Sequence, residues 1–306
     1  MQKIEGQAYS SMTIEQKMEK IKTIRIVHPR FKKILDAIKE CHESTAISKD
    51  PQCMLITGPS GSGKSTLLES YIQFHDRVTF DGTQTKRKIL GSEIPSPTKI
   101  PAFLEAMLEQ LGDPFPNSGK VGNKNRRLVK QIKNCGVELI MLDEFQHFVH
   151  RENQKINFEV ADCFKSLINR TKVPVVLFGL EDAETVLESN PQLKRRFSMR
   201  ETLPPFGVEN TQRIREFQML LHQIDKQLPF DELTGIGEEN FANRIMYATD
   251  GIMNSIMKLI RNAALNAIKQ GKEKIDLTDL AKSYHMHSYI LKGKENNPFI
   301  HETFKL

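Results

Sequence analysis

Gly58-Pro59-Ser60-Gly61-Ser62-Gly63-Lys64-Ser65-Thr66 is the stretch on which the fold of this chain turns. It meets the phosphate-loop pattern G-x-x-x-x-G-K-[ST] at every fixed position. The flanks supply the context the pattern needs. Cys53-Met54-Leu55-Ile56-Thr57 reads as a short buried strand, and Leu67 to Phe74, with apolar Leu67, Leu68, Tyr71 and Ile72, reads as a helix. A loop from a strand into a helix N-terminus presents unpaired backbone N–H groups, and the helix dipole adds positive charge there, so phosphate is attracted. The glycines permit tight curvature and close approach of the backbone to a ligand. Lys64 is placed to reach the β- and γ-phosphates of ATP, and Ser65 to hold Mg²⁺. A Gly/Ser turn that matches by chance is the plainer alternative, and the strand and helix on either side argue against it.

The second chemical motif is Val137-Glu138-Leu139-Ile140-Met141-Leu142-Asp143-Glu144, whose Asp143 lies 79 residues beyond Lys64. It reads as an apolar strand that ends in two acids. Asp143 at the carboxyl end of such a strand faces the crevice where open α/β sheets bind ligands, and suits a magnesium site. Glu144 suits a base that orients and activates an attacking water. Acids often follow strands, so this motif is weak alone; paired with a phosphate loop it gains force. The interval leaves room for one intervening strand and two helices.

Outward from these motifs, the first 22 residues are polar without a strong pattern. Ile24-Arg25-Ile26-Val27-His28-Pro29 precedes a helix in which Phe31, Ile34, Leu35 and Ile38 share a face. Arg77-Val78-Thr79-Phe80-Asp81 reads as a second strand, and residues 91–101, with Pro95, Pro97 and Pro101, as irregular chain. Phe103, Leu104, Met107, Leu108 and Leu111 mark a helix, and residues 112–127 a basic loop. Val173-Pro174-Val175-Val176-Leu177-Phe178-Gly179 is apolar throughout, as a strand buried on both faces should be. Glu181 to Glu188 reads as a short helix, and Arg200-Glu201-Thr202-Leu203 as an edge strand. From Pro204-Pro205-Phe206-Gly207 the pattern is helical over 210–224, 237–248, 251–270 and 277–283.

The chain has 306 residues, 39% hydrophobic and 27% charged, with a formal charge of +6. This is the composition of a soluble globular chain, and the basic balance permits nucleic-acid binding without establishing it. Cys41, Cys53, Cys135 and Cys163 form no C-x-x-C pair and read as reduced thiols. No apolar run approaches the ~20 residues of a membrane span, and Met1 to Ser11 is polar, so a cytoplasmic protein without a membrane partner is expected. Strands that alternate with helices, followed by helices alone, give an α/β core with a helical lid. The expected divisions are an extension and helix at 1–45, the core at 46–205, the lid at 206–285 and a flexible tail at 286–306.

These features together resemble an AAA+ ATPase, and more narrowly the TniB/TnsC family of transposition regulators. The resemblance rests on Ile26-Val27-His28-Pro29-Arg30-Phe31, the phosphate loop, Cys135-Gly136-Val137-Glu138 leading into Asp143-Glu144-Phe145-Gln146-His147, the 173–179 strand, an Arg-Arg-Phe element at Arg195-Arg196-Phe197, and the lid from Gly251 to Ala267. It spans roughly residues 24–283 and implies a parallel five-stranded sheet flanked by helices, then a small helical lid. It further implies that ATP binds between subunits, that copies assemble as rings or helical filaments on double-stranded DNA, and that a transposase and a TniQ-type target-selection protein are partners. Carried over, Lys64, Ser65 and Asp143 bind nucleotide and magnesium and Glu144 is the hydrolytic base. Arg196, or its neighbour Arg195, resembles the finger that reaches a neighbouring subunit's nucleotide, and Ile26 and Val27 resemble the segment that packs on adenine. The family places DNA-facing cations between the second strand and the acidic strand, which here means Lys99, Lys120, Lys124 and Arg126, with Lys86 and Arg87 as second choice.

Two positions depart from the family pattern. The 173–179 strand ends in Phe178-Gly179-Leu180, without the usual polar sensor, and the lid offers no arginine near Gly251-Ile252-Met253-Asn254-Ser255, where Lys258 is the nearest cation. Slow, regulatory hydrolysis is the expectation. Another DNA-associated AAA+ ATPase, of initiator or helicase-loader type, is the alternative; a small-molecule kinase would need a phosphoacceptor pocket of which the sequence gives no sign. Phe299, Ile300 and Phe304 in the tail read as anchors for a partner.

Overall fold

The computed structural model describes residues 9–47, 50–81, 84–96, 99–149, 154–287, 296–300 and 304. In chain order its elements are α1 (Ile14–Thr23), α2 (Pro29–Ile47), β1 (Met54–Thr57), α3 (Lys64–His75), β2 (Thr79–Asp81), β3 (Gln84–Lys86), β4 (Ile89–Glu93), α4 (Ile100–Gln110), α5 (Val121–Cys135), β5 (Leu139–Asp143), α6 (Gln154–Thr171), β6 (Val175–Gly179), α7 (Glu184–Glu188), α8 (Pro191–Arg196), β7 (Met199–Thr202), α9 (Thr211–Gln227), α10 (Glu239–Thr249), α11 (Met253–Lys269) and α12 (Leu277–His287). They divide into two units.

The unit Pro29–Pro204 is built on a five-stranded parallel sheet in the order β4-β5-β6-β1-β7. Its central strands are apolar up to their carboxyl ends, where β1 closes on Thr57 and β5 on Asp143, because both faces are covered. Leu55, Ile140, Leu142, Val175 and Leu177 face one core, with Phe103, Leu128, Ile132, Phe164 and Leu193 from the helices above. Met54, Ile56, Leu139, Met141, Val176 and Phe178 face the other, with Phe31, Ile34 and Ile38 of α2 and Leu67 and Tyr71 of α3. The alternation along each strand is the two-residue period of the pleat. Each core side chain of this size contributes about 1.5–3 kcal/mol on burial.

Three local readings need correction. The segment expected as a second sheet strand, 77–81, instead pairs Thr79–Asp81 antiparallel with Gln84–Lys86 in a separate two-stranded hairpin. One outer strand of the sheet is β4, from a stretch expected in part as irregular; the prolines fall beyond its end, and Ile89 and Leu90 are fully buried. The expected loop 112–127 is shorter, because α5 begins at Val121.

The second unit comprises the described residues of Met1–His28 and Pro205–Leu306. Its core joins Phe217, Leu221 and Ile224 of α9, Ile245 of α10 and Ile256, Ile260 and Ala263 of α11. The expected N-terminal division is split by the fold. Residues 9–28 belong with the helices: Ile21, Ile24 and Ile26 enter their core, Arg261 Nη2 donates to Ile24 O at 2.8 Å, and the Tyr9 amide donates to Asp231 Oδ1 at 2.8 Å. The described part of the tail is packed rather than loose. Phe299 is buried in the same core, edge-on to Tyr284, and the buried Arg244 guanidinium donates to Pro298 O. Among the described residues no helix is long and apolar enough to cross a membrane. All four cysteines are free thiols, and burial pushes Cys53 up to about 12 and Cys163 up to about 11.

Candidate nucleotide site

β1 and β5 flank β6, so the phosphate loop after β1 and the acids at the end of β5 stand on either side of one strand end. The loop is fixed from both neighbouring strands. The Gly58 amide donates to Gly179 O at 3.2 Å, and the Leu203 amide, just past β7, donates to Thr57 O at 2.7 Å. A Cβ at Gly58 would lie 2.5 Å from Leu203 O, so only glycine fits there. Gly61 and Gly63 take φ of 79° and 107°, the left-handed region that suits glycine and lets the chain turn into α3.

Lys64 opens α3, is buried, and donates from Nζ to Gly58 O at 2.8 Å and Pro59 O at 3.0 Å. Burial lowers its pKa, while the charges of Asp143 and Glu144 raise it, so both carboxylates act on the ammonium. Ser62 Oγ is buried without a hydrogen-bond partner in the same loop. An orphaned hydroxyl, a backbone too close for any side chain and a lysine turned onto carbonyls are what a cradle for phosphate oxygens requires. Ser65, one residue into α3, is exposed.

Asp143 is the last residue of β5 and is buried; its Oδ1 accepts the Glu144 amide at 2.8 Å. Glu144 has φ 59°, a left-handed conformation uncommon outside glycine. The turn that follows, Phe145–Phe148, holds it there. Phe145 and Phe148 are fully buried against Phe103 and Phe164, with ring centroids 5.3–5.9 Å apart. Aromatic pairs of this kind contribute about 0.5–1.5 kcal/mol each beyond their burial, comparable with the ~1–3 kcal/mol of the backbone strain. Gln146 Nε2 donates to Glu144 Oε2. His147 Nδ1 donates to Ile94 O at 2.8 Å, and its Nε2 lies 3.7 Å from Glu144 Oε2. Spacing from the two motifs does not point to Gln146; its part emerges only when the turn and the end of β6 are seen together.

The other candidates are dispersed. Arg196 is committed within its own unit, with Nη2 donating to Asn169 Oδ1 at 2.6 Å and Nη1 lying 3.7 Å from Asp50. Arg195 is exposed beside it, in a cleft of about 320 Å³ that Lys165 also lines. Lys99, Lys120 and Arg126 are exposed. Lys124 is not: it is buried in α5 and its ammonium pairs with Glu105 of α4, which removes it as a surface cation. Arg87 is held by Asp76 at 3.3 Å and by the carbonyls of Ile89 and Gln110, and Lys86 donates to Asn134 O. Ile26 and Val27 lie in the helical unit, where Ile26 is part of the core and Val27 is exposed.

A five-stranded parallel sheet with a phosphate loop after β1, an Asp-Glu pair at the end of β5 and a helical C-terminal part defines an AAA+ fold. Residues 17–207 match the model of the TniB family, described as "Bacterial TniB protein". This is more than half of the chain, and the chain belongs to that family. It is also similar to origin recognition complex subunit 4 of Mus musculus, 28% identical over 189 residues that cover 57% of this chain and 40% of that protein. The subunit 4 of Cricetulus griseus is 23% identical over 297 residues, 86% of this chain and 62% of that one. The chain thus spans less than two thirds of these relatives. Among solved structures, the Aeropyrum pernix ORC1 protein in complex with DNA has a TM-score of 0.59 at 16% identity, over 88% of this chain and 69% of that chain. Cdc6p from Pyrobaculum aerophilum has a TM-score of 0.59 at 15% identity, over 92% and 71%. At such identities the likeness is one of fold.

Proposed function

We propose that this chain is an ATP-driven regulator of DNA transposition. In this reading it assembles with copies of itself on duplex DNA, then recruits and activates a transposase at a target chosen by a TniQ-type protein. The observation that carries the reading is the TniB family match over a chain whose phosphate loop and Asp143-Glu144 flank one strand end.

Within it, Gly58 to Thr66 hold the triphosphate. Ser65 and Asp143 would hold Mg²⁺, which neutralises phosphate charge when bound. Lys64 leaves the Gly58 and Pro59 carbonyls for phosphate oxygens. Glu144 takes the proton of the attacking water. Arg195, exposed and beside a tethered Arg196, is the better placed of the pair to serve a neighbouring subunit. Lys99, Lys120 and Arg126 supply phosphate contacts to DNA, which fix position without reading sequence.

The experiment is ATP hydrolysis and duplex binding by the purified chain, then strand transfer with its transposase. DNA-stimulated hydrolysis and chain-dependent strand transfer are expected. Hydrolysis indifferent to duplex DNA would count against any DNA-associated reading. Strand transfer indifferent to the chain would favour the second reading, an initiator or helicase-loader type of AAA+ ATPase, for which the likeness to origin recognition proteins speaks.

A further inference from the structure

The strand between the two motifs ends without a polar side chain, yet the space at its end is filled. At Gly179 an added Cβ would lie 2.9 Å from Ala183 Cβ and 3.2 Å from Gln146 Oε1. The Gln146 side chain, from the turn after β5, reaches this place beside Ala183, and a Cβ at position 179 would press on both. The Leu180 amide, the first beyond β6, donates to Gln146 Oε1 at 3.1 Å. A backbone amide only donates, so the oxygen of the Gln146 amide must face it. The NH₂ group is then turned the other way, and it donates to the Glu144 carboxylate. One side chain thus ties the end of β6 to the acid that follows β5, with its orientation set by a backbone group.

We infer that Gln146 is the positioning residue for Glu144, replacing a polar residue at the end of β6. The inference rests on the proposed reading of Glu144 as the hydrolytic base. Gln146 acts through Glu144: its N–H fixes one carboxylate oxygen and leaves the other to face water. Leu180 and Gly179 determine where that N–H points, so a change at the end of β6 reaches Glu144 through a single amide. The same backbone segment carries Gly179 O, which accepts the Gly58 amide of the phosphate loop. The phosphate loop and the base thereby share one anchor.

Three full-length variants test this. Gln146→Ala removes both bonds. Gln146→Glu keeps an acceptor for the Leu180 amide but replaces the N–H donor to Glu144 with a second carboxyl group. Gln146→Met keeps the bulk and loses both groups. Binding of a non-hydrolysable ATP analogue, steady-state hydrolysis and hydrogen exchange of the Leu180 amide are measured on each. The expected result is analogue affinity within about twofold of wild type and kcat lower by about 10²-fold in all three, with KM little changed. Leu180 protection should fall in the Ala and Met variants and persist in the Glu variant. A role confined to packing would leave kcat intact in Gln146→Met, and that result would overturn the inference while leaving the base assignment standing. Unchanged Leu180 exchange in Gln146→Ala would overturn the link itself. A wild-type chain that binds the analogue and hydrolyses no ATP would overturn both readings.

Discussion

Glu144 concentrates the chemistry proposed for this chain. It follows a buried strand, holds a left-handed backbone conformation and has its carboxylate engaged by Gln146. Glu144→Gln replaces an acid with an amide that cannot accept a proton, so kcat should fall by about 10²–10⁴-fold with analogue binding retained. Wild-type turnover in that variant would move the base elsewhere. Lys64→Ala removes a buried ammonium from the loop. Its charge-assisted hydrogen bonds amount to about 1.5–3 kcal/mol, so analogue affinity should weaken about 10- to 100-fold. Titration of the two proteins with a fluorescent nucleotide measures this, and equal affinity would sink the phosphate-site reading. The arginine pair separates by its surroundings. Arg196→Ala breaks its bonds to Asn169 and Asp50 and should lower the melting temperature slightly. Arg195→Ala should leave it unchanged but abolish hydrolysis, and mixing with Lys64→Ala should restore some, because a mixed interface joins an intact pocket to an intact arginine. Failure to recover at any ratio would return Arg195 to ordinary surface charge.

At the scale of elements, the strands that carry chemistry are legible because they are apolar on both faces. β1, β5 and β6 each announce themselves in sequence within two residues of their observed bounds. β4 does not, because only Ile89 and Leu90 are apolar and the prolines stand close behind. α5 reads in part as loop: its first turn holds Gly122 and polar residues, and its Lys120 cap makes no side-chain bond. Lys124 shows why charge alone misleads. It lies four residues before Leu128 and eight before Ile132, on the buried face of the helix, so periodicity places it inside while its charge suggests outside. The consequence is testable. Lys99→Ala, Lys120→Ala and Arg126→Ala should each reduce the slope of log affinity for duplex DNA against log salt by about 0.9 for every phosphate that goes unneutralised, equally for all sequences. Lys124→Ala should leave that slope alone and destabilise the core by about 2 kcal/mol, since it strands Glu105 beside a buried surface. A slope change in Lys124→Ala, or none in the other three, would reverse the assignment.

Taken whole, the chain builds two units, and the described residues near both ends enter the core of the helical one. Residues 9–28 enter it through Ile21, Ile24 and Ile26, and residues 296–300 through Phe299. The family model stops at residue 207, so most of the helical unit lies beyond it. Sequence alone makes the tail a loose arm with apolar anchors for a partner. Of those anchors Phe299 is buried against Tyr284, Phe304 stacks edge-on against Tyr247, and Ile300 is exposed. Arg244, fully buried, donates to Pro298 O and to Asn240 Oδ1, so the C-terminal segment satisfies a charge inside the helical core. Phe299→Ala should therefore act on folding before it acts on any partner. Truncating a buried phenylalanine costs about 3 kcal/mol, which in a unit of this size lowers its melting temperature by on the order of 10 °C. Two units should give two calorimetric transitions, and only the one assigned to the helical unit should move. Lys64→Ala with excess nucleotide supplies that assignment, because bound nucleotide raises the transition of the unit that holds the phosphate loop in wild type and not in the variant. If Phe299→Ala leaves both transitions in place yet loses transposase capture, the segment is an anchor for a partner and not a strut of the helical unit.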